Sequence, residues 1–249
     1  MKHKIKKNLV WSLIPAKGYS KRIKKKNLKK INNLSLVCYS IIFSKMNKVI
    51  KKTFVSTDNK EIRNLSKKYG AAVPFLRPKK MSEYRSQDYE YVHHFLDYIK
   101  RNEKFLPEYI LQLRPTTPFR SISLINKAIV KIKKFKNSDS LRSCHIANHP
   151  PEKQFRVNKN FYTDINSKKI KNDTFNKPSQ YFKTTYEPNG YVDILKTEFL
   201  LKNKKKIYGK NILFFVTPKT IDIDTKEDFE FAKNYRSSEK NIILKWLKK

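Results

Sequence analysis

Between Ile14 and Asn27 the chain reads Ile-Pro-Ala-Lys-Gly-Tyr-Ser-Lys-Arg-Ile-Lys-Lys-Lys-Asn. A turn there presents backbone N–H groups, and Lys17, Lys21 and Lys26 surround it with positive charge, a combination that suits a polyphosphate. The stretch is not a Walker A loop, because no Gly-Lys-Ser/Thr occurs in the chain. Nor is it a dinucleotide fingerprint, because Gly18 stands alone. On composition alone it reads as a basic surface loop.

Asp222 and Asp224 form a second group, one residue apart. On a strand, residues i and i+2 share a face roughly 6–7 Å apart, so both carboxylates would point the same way at a strand end. Such a pair suits Mg²⁺, which takes few protein ligands and fills its shell with water and substrate phosphates. The alternative is that Asp224 merely caps the helix that follows. Arg114 and Arg120 flank a Pro-Thr-Thr-Pro turn, placed to bind a carboxylate or phosphate, and Arg77 lies in a proline-bounded loop. Cys144, His145 and His149 do not make a zinc site, since adjacent strand residues face opposite sides and no CxxC pair exists. His93-His94 reads as helix packing. No Gly-x-Ser-x-Gly elbow occurs, which leaves serine hydrolase chemistry unsupported.

These residues fall at the ends of predicted elements. A strand over 9–14 is stopped by Pro15, a helix spans 34–46, and a second strand spans 53–56. Asp58 stands at the N-cap of a helix over 59–69, with Glu61 three residues on and Gly70 closing it. A short strand follows over 71–75, then a helix over 86–100, a strand over 109–113, a helix over 121–135 and a strand over 141–145. Strands alternating with helices of this length predict a three-layer, Rossmann-like α/β fold with a mainly parallel sheet and ligands beyond the carboxyl ends of its strands. From 150 to 187 the pattern loosens into polar, aromatic-rich sequence, read as an insertion or lid within one domain. Regularity resumes at 189–194, with a helix near Thr197, strands over 211–216 and 220–223, and a helix over 226–235 capped by Asp224 or Thr225 with Asp228. The end of the chain, 236–249, is an amphipathic tail read as a docked terminal helix.

Lys and Arg number 57 and Asp and Glu 21, giving 57 − 21 = +36 over 249 residues. With 39% hydrophobic and 13% aromatic residues, the chain can bury a sizeable core. Abundant Lys, Asn and Ile with only 4 Gly point to an AT-rich coding sequence. Most lysines therefore read as solvated surface and not as a dedicated nucleic-acid site. No apolar run is long enough to cross a bilayer, and two cysteines make no disulfide framework. The expectation is a soluble, reduced, cytoplasmic protein without a transmembrane segment.

The 14–27 stretch resembles the nucleotide-binding motif of the acylneuraminate cytidylyltransferases, the CMP-sialic acid synthetases. Phe54-Val-Ser-Thr-Asp58, residues 69–78, Arg114-Pro-Thr-Thr-Pro-Phe-Arg120, Pro188-Asn-Gly-Tyr-Val192 and Ile221-Asp-Ile-Asp-Thr225 are similar to further blocks of that family, in family order across residues 9–235. The resemblance implies a nucleotidyltransferase joining CTP to a nine-carbon α-keto acid sugar, such as N-acetylneuraminate, legionaminate or pseudaminate. It implies that Lys17 and Lys21 hold the triphosphate and act catalytically, that Ser20 bonds a phosphate oxygen, and that Gly18, Lys26, Asn27 and Arg77 complete the nucleotide site. Arg114, Lys153, Gln180 and Asn189 would face the sugar, and Asp222 and Asp224 would hold Mg²⁺. A homodimer in which the 150–187 segment reaches toward the partner is implied as well.

The chain departs from the family pattern at Lys17, where Arg is usual, at Tyr19, which replaces a second Gly, and at Ser179, where Arg often stands. Lys24 and Lys25 occupy positions where many relatives have a Pro, and Arg114 stands where many have Gln. A diverged, non-catalytic relative that binds polyanions, nucleic acid or anionic membrane, through its basic surface is the alternative reading.

Overall fold

The computed structural model describes residues 4–158, 161–164 and 176–247. Strand β1 (Ile5–Pro15) starts ahead of its apolar run because Ile5 and Lys6 already pair with Leu106 and Pro107. A break in register follows, with Asn8 at φ 60, before Val10 resumes the ladder. The phosphate-loop candidate comes next. A tight hairpin then joins β2 (Lys30–Ile31) to β3 (Leu34–Ser35) through Asn32 and Asn33, both at positive φ, which asparagine tolerates well. Helix α1 (Leu36–Met46) is buried on every side from Leu36 to Ser44, and β4 (Ile50–Ser56) follows it.

In α2 (Lys60–Lys68) the N-cap is Asn59, not Asp58: Asn59 Oδ1 accepts the Ile62 N–H at 2.9 Å. Asp58 is turned to the loop after β1 instead. Gly70, at φ 82, ends the turn after α2 as expected. The strand expected over 71–75 shrinks to one bridge, Phe54 with Ala72. Helix α3 (Asp88–Asn102), β5 (Leu106–Gln112), α4 (Ile122–Lys134) and β6 (Ser140–Ile146) lie close to their predicted spans. The short pair β7 (Phe155–Asn158) and β8 (Phe161–Asp164) falls in the segment predicted as a lid, of which residues 159–160 and 165–175 lie outside the described residues. Then come β9 (Tyr186–Lys196), α5 (Thr197–Lys202), β10 (Ile212–Val216), α6 (Lys226–Asn234) and α7 (Ser238–Trp246). The strand expected over 220–223 does not form. That segment is held outside the sheet by the Ile223 N–H on the Thr116 carbonyl at 2.8 Å, with the Ile223 side chain fully buried.

Six strands make one sheet in the order β10-β6-β9-β5-β1-β4. All neighbours are parallel except β9, which runs antiparallel to both β5 and β6. Side chains alternate between two cores with the period of two that a pleated strand imposes. Val10 and Ile14 enter the layer with α1, α2, α4, α6 and α7, whereas Trp11 and Leu13 enter the layer with α3 and α5. This is the three-layer, mainly parallel α/β architecture expected. The tail is docked through α7, whose Ile243 is 1% exposed. Among the described residues no helix is long and apolar enough to cross a membrane.

Candidate active site

The carboxyl ends of β1, β4 and β5 open into one cleft of about 290 Å³. Beyond β1, the Ala16 N–H donates to the Ser56 carbonyl at 3.0 Å and carries the β1–β4 pairing into the loop. The Gly18 N–H then donates to Asp58 Oδ1 at 2.7 Å. A Cβ on Gly18 would lie 2.8 Å from Asn59 Cβ, so close approach to α2, not φ, demands glycine there. The buried Asn27 amide donates to the Lys17 carbonyl at 2.8 Å and ties the far end of the loop to its start. Fastened at both ends, the loop lines the cleft with Lys17, Ser20, Lys21, Lys26 and Asn27, and with Arg22. Gly18 lines a neighbouring hollow with Asp58 and Asn59. Tyr19 is 62% exposed and lines that same hollow, so the large side chain in place of glycine does not fill the cleft.

Asp222 and Asp224 flank the buried Ile223 beside the cleft. Both Asp224 oxygens are held by cations of the loop: Lys26 Nζ at 2.9 Å on Oδ1 and Arg22 Nη2 at 3.0 Å on Oδ2. Lys26 also donates to the Ile223 carbonyl at 2.9 Å. Thr225, not Asp224, caps α6, in a capping box with Asp228. Asp224 is thereby left to the loop cations. Desolvation raises the Asp222 pKa, the like charge of Asp224 adds to it, and Thr116, Lys26 and Arg114 oppose it. The two carboxylates are close enough to repel, and both are hard oxygen donors of the kind a small divalent cation takes.

Opposite the loop, Arg114 Nη2 donates to Asp88 Oδ2 at 2.5 Å and to Asp193 Oδ2 at 3.3 Å. Burial works to raise the Asp88 carboxyl, but Arg114, Gln112 and Tyr91 outweigh it and hold its pKa below the ordinary value. Gln112 Nε2 donates to Asp88 Oδ2 at 3.3 Å and to the Tyr91 hydroxyl. Arg77 lines the cleft but is buried, with Nε on Ser56 Oγ at 3.0 Å and Nη2 on the Ser56 carbonyl at 2.6 Å, its guanidinium 4.6 Å above the Tyr91 ring. Arg120 does not flank the cleft as an anion binder. It is 2% exposed and donates to the carbonyls of Tyr191 and Arg114, each at 2.7 Å, and to Ser40 Oγ at 3.1 Å.

Of the residues assigned to the sugar, only Arg114 lines this cleft. Asn189 is buried and fastens its own turn, donating to Thr217 Oγ1 at 2.7 Å and accepting from the Tyr191 N–H at 3.2 Å. That turn sets Gly190, at φ 64, where a Cβ would lie 3.4 Å from Arg114 Cδ and 3.5 Å from Asp222 Oδ2. A Cβ there would also lie 3.3 Å from Thr117 Oγ1, a buried hydroxyl without a hydrogen-bond partner among the described residues. Lys153 lies in a short turn, Pro151–Lys153, and Gln180 is exposed in another, Ser179–Tyr181; neither lines the cleft. The sequence reading missed Arg22, Asp88, Tyr91 and Gln112. The run Gln87-Asp88-x-Glu90, a capping box opening α3, carried a signal that Asp88 sits at a helix start near the sheet's carboxyl end.

A mainly parallel α/β sheet with a fastened basic loop at its carboxyl edge, beside paired carboxylates, is an α/β fold of the nucleotidyltransferase class. The cytidylyltransferase family model matches residues 11–245, and the chain belongs to that family. It is 30% identical to the CMP-N,N'-diacetyllegionaminic acid synthase of Campylobacter jejuni, over 93% of this chain and 96% of that one. It is 29% identical to the post-translational flagellin modification protein B of Campylobacter coli, with the same coverage of 93% and 96%. To the N-acylneuraminate cytidylyltransferase of Escherichia coli it is 26% identical, over 89% of this chain and 50% of that protein. The fold is similar to that of a CMP:2-keto-3-deoxy-manno-octonic acid synthetase, with a TM-score of 0.67, 11% identity, and 90% of this chain and 97% of the other covered.

Proposed function

We propose that the protein joins CTP to a nine-carbon α-keto acid sugar of the neuraminate, legionaminate and pseudaminate group, giving a CMP-sugar and pyrophosphate. The observation that carries this reading is the facing of the loop cations Lys17, Lys21 and Arg22 with Arg114 across one cleft. The names of relatives at 26–30% identity, which include a legionaminic acid synthase and an N-acylneuraminate cytidylyltransferase, support the choice of sugar class.

In the proposed reaction the anomeric hydroxyl attacks the α-phosphorus in line. A new P–O bond forms, the bond to the β-phosphate bridging oxygen breaks with its electron pair, and the hydroxyl proton is lost to water. Lys17 and Lys21 neutralise the charge that grows on the departing pyrophosphate, and the amide-rich turn around Ser20 orients the triphosphate. Asn27 acts by holding that turn closed. Asp222 and Asp224 are the residues that would hold Mg²⁺. The ion would supply charge neutralisation at the phosphates when bound. Arg22 and Lys26 hold Asp224 in position. Arg114, flanked by Gly190 and Thr117, offers hydrogen-bond donors to the sugar with its charge already balanced by Asp88 and Asp193.

The homodimer rests on the family resemblance and on the β7–β8 pair, where Val157 is 72% exposed. The test of the reaction is pyrophosphate release from CTP and Mg²⁺ with each of several nine-carbon keto acid sugars and with none. Release that depends on the sugar supports the proposal and its rate order names the substrate. Folded protein that neither binds CTP nor releases pyrophosphate refutes it.

A further inference from the structure

Two cations of the loop share one carboxylate, and they hold it unequally. Lys26 Nζ lies 2.9 Å from Asp224 Oδ1 and donates as well to the Ile223 carbonyl at 2.9 Å, with a side chain only 13% exposed. It is a fixed part of the fold. Arg22 Nη2 lies 3.0 Å from Asp224 Oδ2, but the arginine side chain is 62% exposed, and this pair is its one polar anchor among the described residues. An ion pair so open to water is weak, so Arg22 can leave Asp224 at small cost. Arg22 also lines the cleft with Lys17, Ser20 and Lys21, the residues to which the triphosphate is assigned.

The charges around this pair balance. Asp222 and Asp224 carry two negative charges, and Lys26 and Arg22 carry two positive ones. A divalent cation that takes Asp224 must therefore compete with Arg22 for Oδ2, in a set that is already neutralised. With Arg22 drawn off, the same carboxylates are one positive charge short. A phosphate is the group suited to draw it off, because a guanidinium donates to two phosphate oxygens through parallel N–H groups.

We propose that Arg22 is a positioning residue that couples nucleotide to metal: it shields Asp224 until a triphosphate takes its guanidinium, and then leaves the two carboxylates to Mg²⁺. The proposal rests on the assignment of Mg²⁺ to Asp222 and Asp224. Arg22 holds down the affinity for a divalent cation offered alone, and it adds to the affinity for the triphosphate. By linkage, nucleotide and metal then strengthen each other's binding by the same factor. Lys26 has no such role, because its bond to the Ile223 carbonyl keeps it in place.

Mn²⁺ binding to the full chain without nucleotide, read from the free-ion electron paramagnetic resonance signal, tests the proposal. Arg22→Gln is expected to bind Mn²⁺ about fivefold tighter than wild type, the upper range for an exposed ion pair. Arg22→Lys keeps the charge and is expected to stay within about twofold of wild type. Lys24→Gln removes an exposed charge of the same loop that lines the neighbouring hollow, and is expected to change Mn²⁺ affinity by about twofold or less. Calorimetric titration of CTP in EDTA should show the opposite sign, with Arg22→Gln binding about fivefold more weakly. Unchanged Mn²⁺ affinity in Arg22→Gln would overturn the proposal, as would an equal gain in Lys24→Gln. Asp224→Ala separates this failure from failure of the metal assignment. If Asp224→Ala abolishes Mn²⁺ binding while Arg22→Gln leaves it unchanged, the carboxylates hold metal and only the role of Arg22 is lost. If Asp224→Ala leaves Mn²⁺ binding intact, the metal assignment falls and the proposal with it.

Discussion

Arg114 and Asp88 meet across the cleft, Nη2 of the arginine donating to Oδ2 of the carboxylate at 2.5 Å, while Asp193 takes the same nitrogen at 3.3 Å from the buried side. The arginine that flanks the Pro-Thr-Thr-Pro turn is thus a balanced group with donors to spare, not a free positive charge. Its two anchors come from elements far apart in sequence, the start of α3 and the middle of β9.

Asp88→Asn is expected to lower stability by about 1–2 kcal/mol at neutral pH, reduced from the cost of breaking a fully buried pair because both side chains keep partial contact with water. Because the Asp88 pKa is depressed on folding, its contribution is present in full above the unfolded value of 3.8 and is lost as pH falls through the lower folded value. Urea melts of both proteins should therefore differ at pH 7 and converge below pH 3.8. A difference that persists at low pH would remove the ion pair as its cause.

Asp224→Ala is expected to reduce turnover by about a hundredfold or more, the scale of losing a preorganised electrostatic contact. The fold should persist, since Lys26 keeps its bond to the Ile223 carbonyl. Steady-state pyrophosphate release beside a thermal melt separates the two effects, and near wild-type turnover would remove this carboxylate from the reaction.

Gly18→Ala and Tyr19→Gly should behave oppositely. The first forces a Cβ to within 2.8 Å of Asn59 Cβ and is expected to cost about 1–3 kcal/mol and to loosen CTP binding. The second removes a side chain that is 62% exposed and should leave CTP affinity within about threefold of wild type. Calorimetric titration of CTP with both variants checks the contrast.

Arg120→Lys is expected to destabilise by about 3 kcal/mol or more, because lysine cannot serve the carbonyls of Tyr191 and Arg114 and the Ser40 hydroxyl together. The loss should show in the melting temperature first. A variant of unchanged stability that fails only in KM for the sugar would restore Arg120 to substrate binding.

Asn59→Ala should cost about 1 kcal/mol through loss of the α2 cap, whereas Asp58→Ala should leave α2 intact and loosen the Gly18 turn. Helix content and CTP affinity, measured on both, tell the two positions apart.

The alternation of apolar runs determined, without any structure, a layered α/β fold, and the order of Pro15, Gly18, Ser20 and Asn27 marked out a cation-lined loop. Both depend on local spacing, which the pleat of a strand and the pitch of a helix translate directly into position. Asp58 shows where that legibility stops. Asp58 and Asn59 are both good caps, and only the packing of the loop against α2, which brings Gly18 within reach, assigns one to the helix and the other to the turn. The strand expected over 220–223 failed for a related reason. A strand needs a neighbour as well as a pattern, and β10 already forms that edge of the sheet. Asp88, Gln112, Arg114 and Asp193 became one network only when antiparallel β9 was inserted between β5 and β6, because ion pairs between distant segments are set by strand order and not by spacing along the chain.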